Sequence, residues 1–190
     1  MESLKTLSGI QVLEHDLANK YDLPKHVIEQ LDIYWDGSSI KECCKNKKIF
    51  SMVVLEWLFK KESITGWKLN KCMKAAAKND NADLVNFCIH KGADDFNGAM
   101  AWAAGGDHIK IVRLMIDHGA DDFNRALHCA AWSGHIDIVR FMIDQGANGF
   151  DWAMVFAAWS SHIDIVHLLI DHGANENAYE IVVNINDNKD

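Results

Sequence analysis

Proline is almost absent. Pro24 is the single one in 190 residues, so the commonest helix breaker is missing and helices are favoured. The five cysteines (Cys43, Cys44, Cys72, Cys88 and Cys129) form no Cys-x-x-Cys pair and are odd in number. That is the pattern of reduced thiols in a reducing compartment, not of a disulfide framework. The opening Met1-Glu2-Ser3-Leu4-Lys5-Thr6 lacks an apolar signal region, and Glu2 excludes the myristoylation pattern. The most apolar run, 49–59, is interrupted by Glu56 and is far short of the ~20 residues a membrane span requires. A soluble intracellular protein without membrane contact is expected.

Basic charge is also in deficit. The 19 Lys and Arg stand against 27 Asp and Glu, a formal net charge of −8. Residues 1–64 hold 9 basic and 10 acidic residues, so the remaining 10 and 17 place the acidic surplus later in the chain. Such an array repels a phosphate backbone, which excludes nucleic acid as the expected partner. There is no Gly-rich phosphate loop, Gly-x-Ser-x-Gly elbow, His-Glu-x-x-His or kinase lysine motif, and Gly105-Gly106 is too short to serve as one. A non-enzyme without a cofactor is expected.

What the chain does have is a repeat. A Gly-Ala pair opens at Gly92, Gly119, Gly146 and Gly173, each 27 residues after the last. Self-similarity at such a period signals a stacked solenoid. The units run 65–91, 92–118, 119–145 and 146–172; the second and third agree at 17 of 27 positions, the third and fourth at 15. Each contains a short helix ending in Ala-Ala (Ala76-Ala77, Ala103-Ala104, Ala130-Ala131, Ala157-Ala158), a turn, and a helix of the form Ile-x-Ile-Val-x-x-x-Ile, written Ala-x-Leu-Val-x-x-x-Ile in the first unit. The alanines allow close approach between helices, and the branched residues fill the space between layers.

Residues 1–37 predict two helices: one with Leu4, Leu7, Ile10, Leu13 and Leu17 on a face, and one opened by Leu23-Pro24 with Val27, Ile28 and Leu31 on a side. In 38–64, the capping box Ser39-Ile40-Lys41-Glu42 opens a third helix and a fourth runs from Ile49 to about Lys60. This pair reads equally as a worn repeat, with Cys43-Cys44-Lys45-Asn46 standing where Ala76-Ala77-Lys78-Asn79 stands, or as an unrelated helix pair. The segment 173–190 is a partial repeat expected to cap the fourth unit.

Arg125-Ala126-Leu127-His128-Cys129-Ala130-Ala131-Trp132-Ser133-Gly134-His135 resembles the ankyrin first-helix signature Thr-Pro-Leu-His-x-Ala-Ala-x-x-Gly-His. Ile138-Val139 and Gly146-Ala147 resemble that family's second helix and terminating loop. Ankyrin units run to roughly 33 residues, and the missing stretch falls between Asn124 and Arg125, where the family carries a β-hairpin finger. The resemblance implies an all-α, ankyrin-type helical solenoid with short repeats that lack fingers.

Leu23-Pro24-Lys25-His26-Val27-Ile28-Glu29-Gln30-Leu31-Asp32-Ile33-Tyr34-Trp35-Asp36-Gly37, after Ser3-Leu4-x-x-Leu7, resembles the start of the multigene family 360 and 505 proteins of African swine fever virus and its relatives. That resemblance implies a monomeric viral protein of the host cytoplasm. It would bind a host protein to antagonise innate immune signalling or set host range. An alternative is that Leu23-Pro24, Val27-Ile28 and Leu31 with Cys43-Cys44-Lys45-Asn46 resemble an F-box, implying an adaptor that recruits host ubiquitin ligase machinery.

Histidines recur at His108, His135 and His162, and again at His118 and His172. Stacked helices lie ~8–10 Å apart whereas zinc ligands lie within ~2.0–2.3 Å of one ion, so equivalent histidines cannot share a metal and turn or helix-end bonding is expected. Asp94-Asp95 and Asp121-Asp122 are expected to cap helices. Asp137, Arg140 and Asp144, and Arg113 with Asp117, are expected to form solvated ion pairs. The seventh, tenth and fourteenth residues of each unit share one face of the first helix, which gives Lys71, Lys74 and Lys78; Gly98, Ala101 and Gly105; Arg125, His128 and Trp132; and Trp152, Val155 and Trp159. With Ala-Ala between layers, this stripe faces the concave side and runs from basic, through small, to aromatic. Lys71, Lys74, Lys78, Arg125, His128, Trp132, Trp152 and Trp159 are the candidate partner-binding residues, with Trp132 and Trp159 exposed. Trp102 and Phe156 are assigned to the core.

Overall fold

The structure, a computed structural model, describes residues 66–175. The expected N-terminal helices, the worn repeat, the F-box-like segment and most of the C-terminal cap lie outside the described residues. Among those described there are eight helices and no strand: α1 (Trp67–Lys78), α2 (Ala82–His90), α3 (Phe96–Ala104), α4 (Ile109–Asp117), α5 (Phe123–Ser133), α6 (Ile136–Asp144), α7 (Phe150–Trp159) and α8 (Ile163–Asp171). Helices α2, α4, α6 and α8 begin 27 residues apart, as do α3, α5 and α7. The described residues form an all-α solenoid of helix pairs.

Small residues set how the pairs stack. Ala76, Ala77, Ala103, Ala104, Ala130, Ala131 and Ala157 have no exposed surface. Across them each first helix packs on the next, α1 on α3, α3 on α5 and α5 on α7, about as closely as on its own partner. Second helices of successive repeats scarcely meet, with only a slight contact between α6 and α8. Met73, Met100, Leu127 and Met154 of the first helices are fully buried, as are Val112, Met115, Val139, Met142 and Leu169 of the second. Each such side chain contributes about 1.5–3 kcal/mol by leaving water.

Both helices of a repeat end in the same device. Gly119, after α4, has φ 95°; its N–H donates to Ile116 O at 2.8 Å, and that of Ala120 donates to Met115 O at 2.9 Å. This is a Schellman cap, and the positive φ explains the recurrent glycine. The buried alanine that follows each glycine completes it. At the end of the first helices the left-handed position is held by Asp80 (φ 55°), Asp107 (63°), Gly134 (82°) and Ser161 (62°). Only one of these four is a glycine.

The α2–α3 connection from Lys91 to Asp95 is short and contains no strand. In place of a hairpin, one side chain per repeat ties it down. Asn70 Oδ1 accepts from the Asp94 and Asp95 N–H groups at 2.9 and 3.2 Å, and Asn97 and Asn124 do the same for residues 121–122 and 148–149. Asp151 Oδ1 takes the fourth place, accepting from Asn175 N at 2.7 Å.

Candidate partner-binding face

The tightly stacked first helices bury one side in the array and leave the opposite side open. Trp132 and Trp159 lie on that open side, each 51% exposed, and Trp152 is 65% exposed. Arg125, Lys71 and Lys78 are exposed there too, while Lys74, His128 and Val155 are half-buried. Gly98 and Ala101 are buried and Gly105 half-buried, so the middle of the stripe is a low saddle.

Two expectations fail. Trp102 is not core but 45% exposed, and Phe156 is half-buried rather than enclosed. Each is the eleventh residue of its unit, four after the seventh and three before the fourteenth, so helical geometry puts it on the open stripe. The buried aliphatic place is two residues earlier, at Met100 and Met154.

Phe156 is the hub of an aromatic cluster spanning α5 and α7. Its ring centroid lies 5.5 Å from Trp132, 6.1 Å from Trp159, 6.4 Å from Trp152 and 5.6 Å from His128. Trp132 and Trp159 meet at 6.4 Å with planes at 90°. Perpendicular and tilted arrangements at these distances suit the ring quadrupoles. His128 is held from its other end, with Nε2 3.2 Å from Gly149 O.

The basic end is partly neutralised by the chain itself. Lys74 Nζ lies 2.7 Å from Asp95 Oδ2, and Lys78 Nζ sits 4.8 Å over the Trp102 ring. Lys71 lies 5.9 Å over Trp67. Burial acts to raise the pKa of Asp95, but the bonds from Lys74 and the Gly98 N–H, with the charges of Lys74 and Arg125, outweigh it and hold the carboxyl below its ordinary range. Burial pushes the Cys129 thiol up, aided by Asp122 and opposed by Arg125, so it stays protonated at neutral pH.

The acidic pairs and the histidines act within the scaffold. Asp95 and Asp122 cap α3 and α5, accepting from the Gly98 and Arg125 N–H groups at 2.9 and 3.1 Å. His108 and His135 reach back one repeat, with Nε2 2.9 Å from Lys78 O and 3.3 Å from Gly105 O. His172 Nδ1 lies 2.8 Å from Leu168 O, and His118 stacks on Phe96 at 5.4 Å. Among the described residues no group of three His, Cys, Asp or Glu is placed to hold a metal, and no helix is long and apolar enough to cross a membrane. The expected ion pairs on the second helices do not form. The salt bridges among the described residues are Lys74–Asp95 and two longer histidine pairs, and Arg113 lies 4.2 Å over the Phe141 ring of the next repeat. The ring face of Phe141 takes the planar guanidinium in preference to the exposed Asp117 carboxylate one turn away.

Residues 72–151 match the family model for ankyrin repeats in three copies, and residues 152–180 match that for a single ankyrin repeat. The array is an ankyrin-repeat array. A comparison with curated proteins gives no match. Ankyrin repeats are protein-binding modules, so a protein partner follows from the family. In this ankyrin array the open first-helix side carries the exposed rings.

Proposed function

We propose that the chain is a non-enzymatic protein-interaction module that anchors its partner on Trp132, Trp152 and Trp159, with Arg125 at the near edge and Lys71 and Lys78 farther along the face. The observation that carries this reading is three neighbouring indoles, each at least half exposed, gathered around Phe156. Contiguous exposed apolar surface marks interaction sites, and Trp and Arg dominate binding energetics when covered.

The reading extends to the setting. The resemblance of residues 23–37 to the multigene family 360 and 505 proteins supports a monomeric viral protein of the host cytoplasm that engages a host component of innate signalling or host range. Affinity capture from host-cell extract, wild type against a Trp132→Ala/Trp159→Ala double variant, is the test. The partner is expected with the wild type only, while the variant keeps the wild-type helical spectrum and elutes as a monomer. Equal recovery by both forms would remove the aromatic face from the binding site.

A further inference from the structure

The aromatic cluster lies in the most acidic part of the array. Residues 119–172 hold two basic and seven acidic residues, whereas 66–91 hold five Lys and two Asp. Asp121 and Asp122 precede α5, Asp151 lies in the first turn of α7, and all three are exposed. The only basic residue on α5 or α7 is Arg125, whose charge also acts on Asp95.

The chain itself indicates what these rings accept. Two of the three lysines on this side lie over an indole, Lys78 over Trp102 and Lys71 over Trp67, while the third, Lys74, pairs with Asp95. Among the described residues no cation lies over Trp132, Trp152 or Trp159. Indole faces carry negative quadrupole potential, and the carboxylates at the leading ends of α5 and α7, about 12–15 Å along the same helices from Trp132 and Trp159 by the helical rise, extend the negative surface a few peptide residues away. An aliphatic anchor would use the ring surface but gain nothing from the carboxylates, and an acidic anchor would be repelled.

Building on the binding face proposed above, we infer that the partner presents a basic segment. One Arg or Lys of that segment seats on the rings of Trp132 and Trp159, and its basic neighbours face Asp121, Asp122 and Asp151. The complementarity is of charge and quadrupole together, which makes the recognised feature a cationic side chain within a positively charged stretch.

A phage-displayed library of random 12-residue peptides, selected on the full chain, tests this. Selected peptides should share an Arg or Lys at one position. A synthetic peptide with citrulline in place of that arginine, or norleucine in place of that lysine, should bind about tenfold more weakly. The Trp132→Ala/Trp159→Ala variant should lose the selected peptides, whereas Trp67→Ala, far along the array, should keep them. Peptides that depend on Trp132 and Trp159 but share an apolar or acidic anchor would overturn the cationic inference and leave the binding face intact. Peptides bound equally by the double variant, or no enrichment at any position, would overturn both.

Discussion

Asn97 holds Asp121 at two points: its Nδ2 donates to Asp121 Oδ1 at 3.0 Å while its Oδ1 accepts from the Asp121 N–H at 2.8 Å. The same oxygen accepts from Asp122 N at 3.0 Å, so one side chain fixes the connection that delivers the next helix cap. Asn70 and Asn124 repeat the arrangement, with Nδ2 bonds to Asp94 and Asn148. In an array without hairpin fingers, these clasps tie the leading end of each first helix to the connection that enters the next unit.

Asn97→Ala is expected to cost about 1–3 kcal/mol, because three bonds go and two backbone N–H groups lose their acceptor. Asn97→Asp keeps the acceptor but sets a carboxylate against Asp121, so its loss should also be measurable. Urea unfolding followed by circular dichroism checks both. A midpoint unchanged in Asn97→Ala would mean that water replaces the clasp without loss.

The left-handed residue that closes each first helix yields a prediction of opposite sign at two equivalent places. Ser161 sits at φ 62°, a conformation that costs an L-residue roughly 1–2 kcal/mol. Ser161→Gly should raise the thermal midpoint by roughly 2–4 °C, after allowance for the entropy glycine adds to the unfolded chain. Gly134→Ala should lower it, since φ is 82° and an added Cβ would lie 2.5 Å from His162 Cε1.

Asp95 gives the pH dependence. Its folded pKa lies below the ordinary 3.8, held there by Lys74, the Gly98 N–H and Arg125 against the opposing effect of burial. A carboxyl lowered in the native state binds its proton more readily when unfolded, so it stabilises the fold above pH 3.8 and ceases to as pH falls through the lowered value. Asp95→Asn should therefore be less stable than wild type at neutral pH, and the gap should close as the pH falls below 3.8 and through the lowered value. Urea midpoints measured from pH 7 to pH 2 show whether the two curves converge.

The core and the open face should respond differently to truncation. Leu127→Ala empties a fully buried site and should cost about 2–5 kcal/mol. Trp152→Ala removes a larger but 65% exposed side chain and should cost under about 1.5 kcal/mol, the scale of its contact with Phe156. Equal losses would place Trp152 in the core.

The stacking surfaces and turns could be read in the sequence because their causes recur every 27 residues. Ala-Ala must be small wherever helices touch, and the Gly of Gly-Ala must reach positive φ. The exposure of Trp132 and Trp159 is legible from their place directly after Ala-Ala, a position that ankyrin repeats leave variable. Helical spacing applied to the eleventh place puts Trp102 and Phe156 outside, against their alignment with the buried aliphatic of the ankyrin signature. The clasps are not legible in the sequence, although the sixth residue of every unit is Asn70, Asn97, Asn124 or Asp151. Their partners lie 24 and 25 residues on, in loops whose position depends on the completed stack. The engagement of Lys74 with Asp95 and of Lys78 with Trp102 was hidden for the same reason, since each crosses between repeats.

The unequal packing of the two helix rows has a mechanical consequence. First helices are joined by buried alanines and by side-chain clasps at their leading ends, whereas second helices of adjacent repeats barely touch. A load along the array meets a stiff strip on one side and a compliant one on the other, so it bends by spreading or closing the outer helices. The neutral line of that bending runs near the first helices, and the spacing between Trp132 and Trp159 changes least where the curvature changes most.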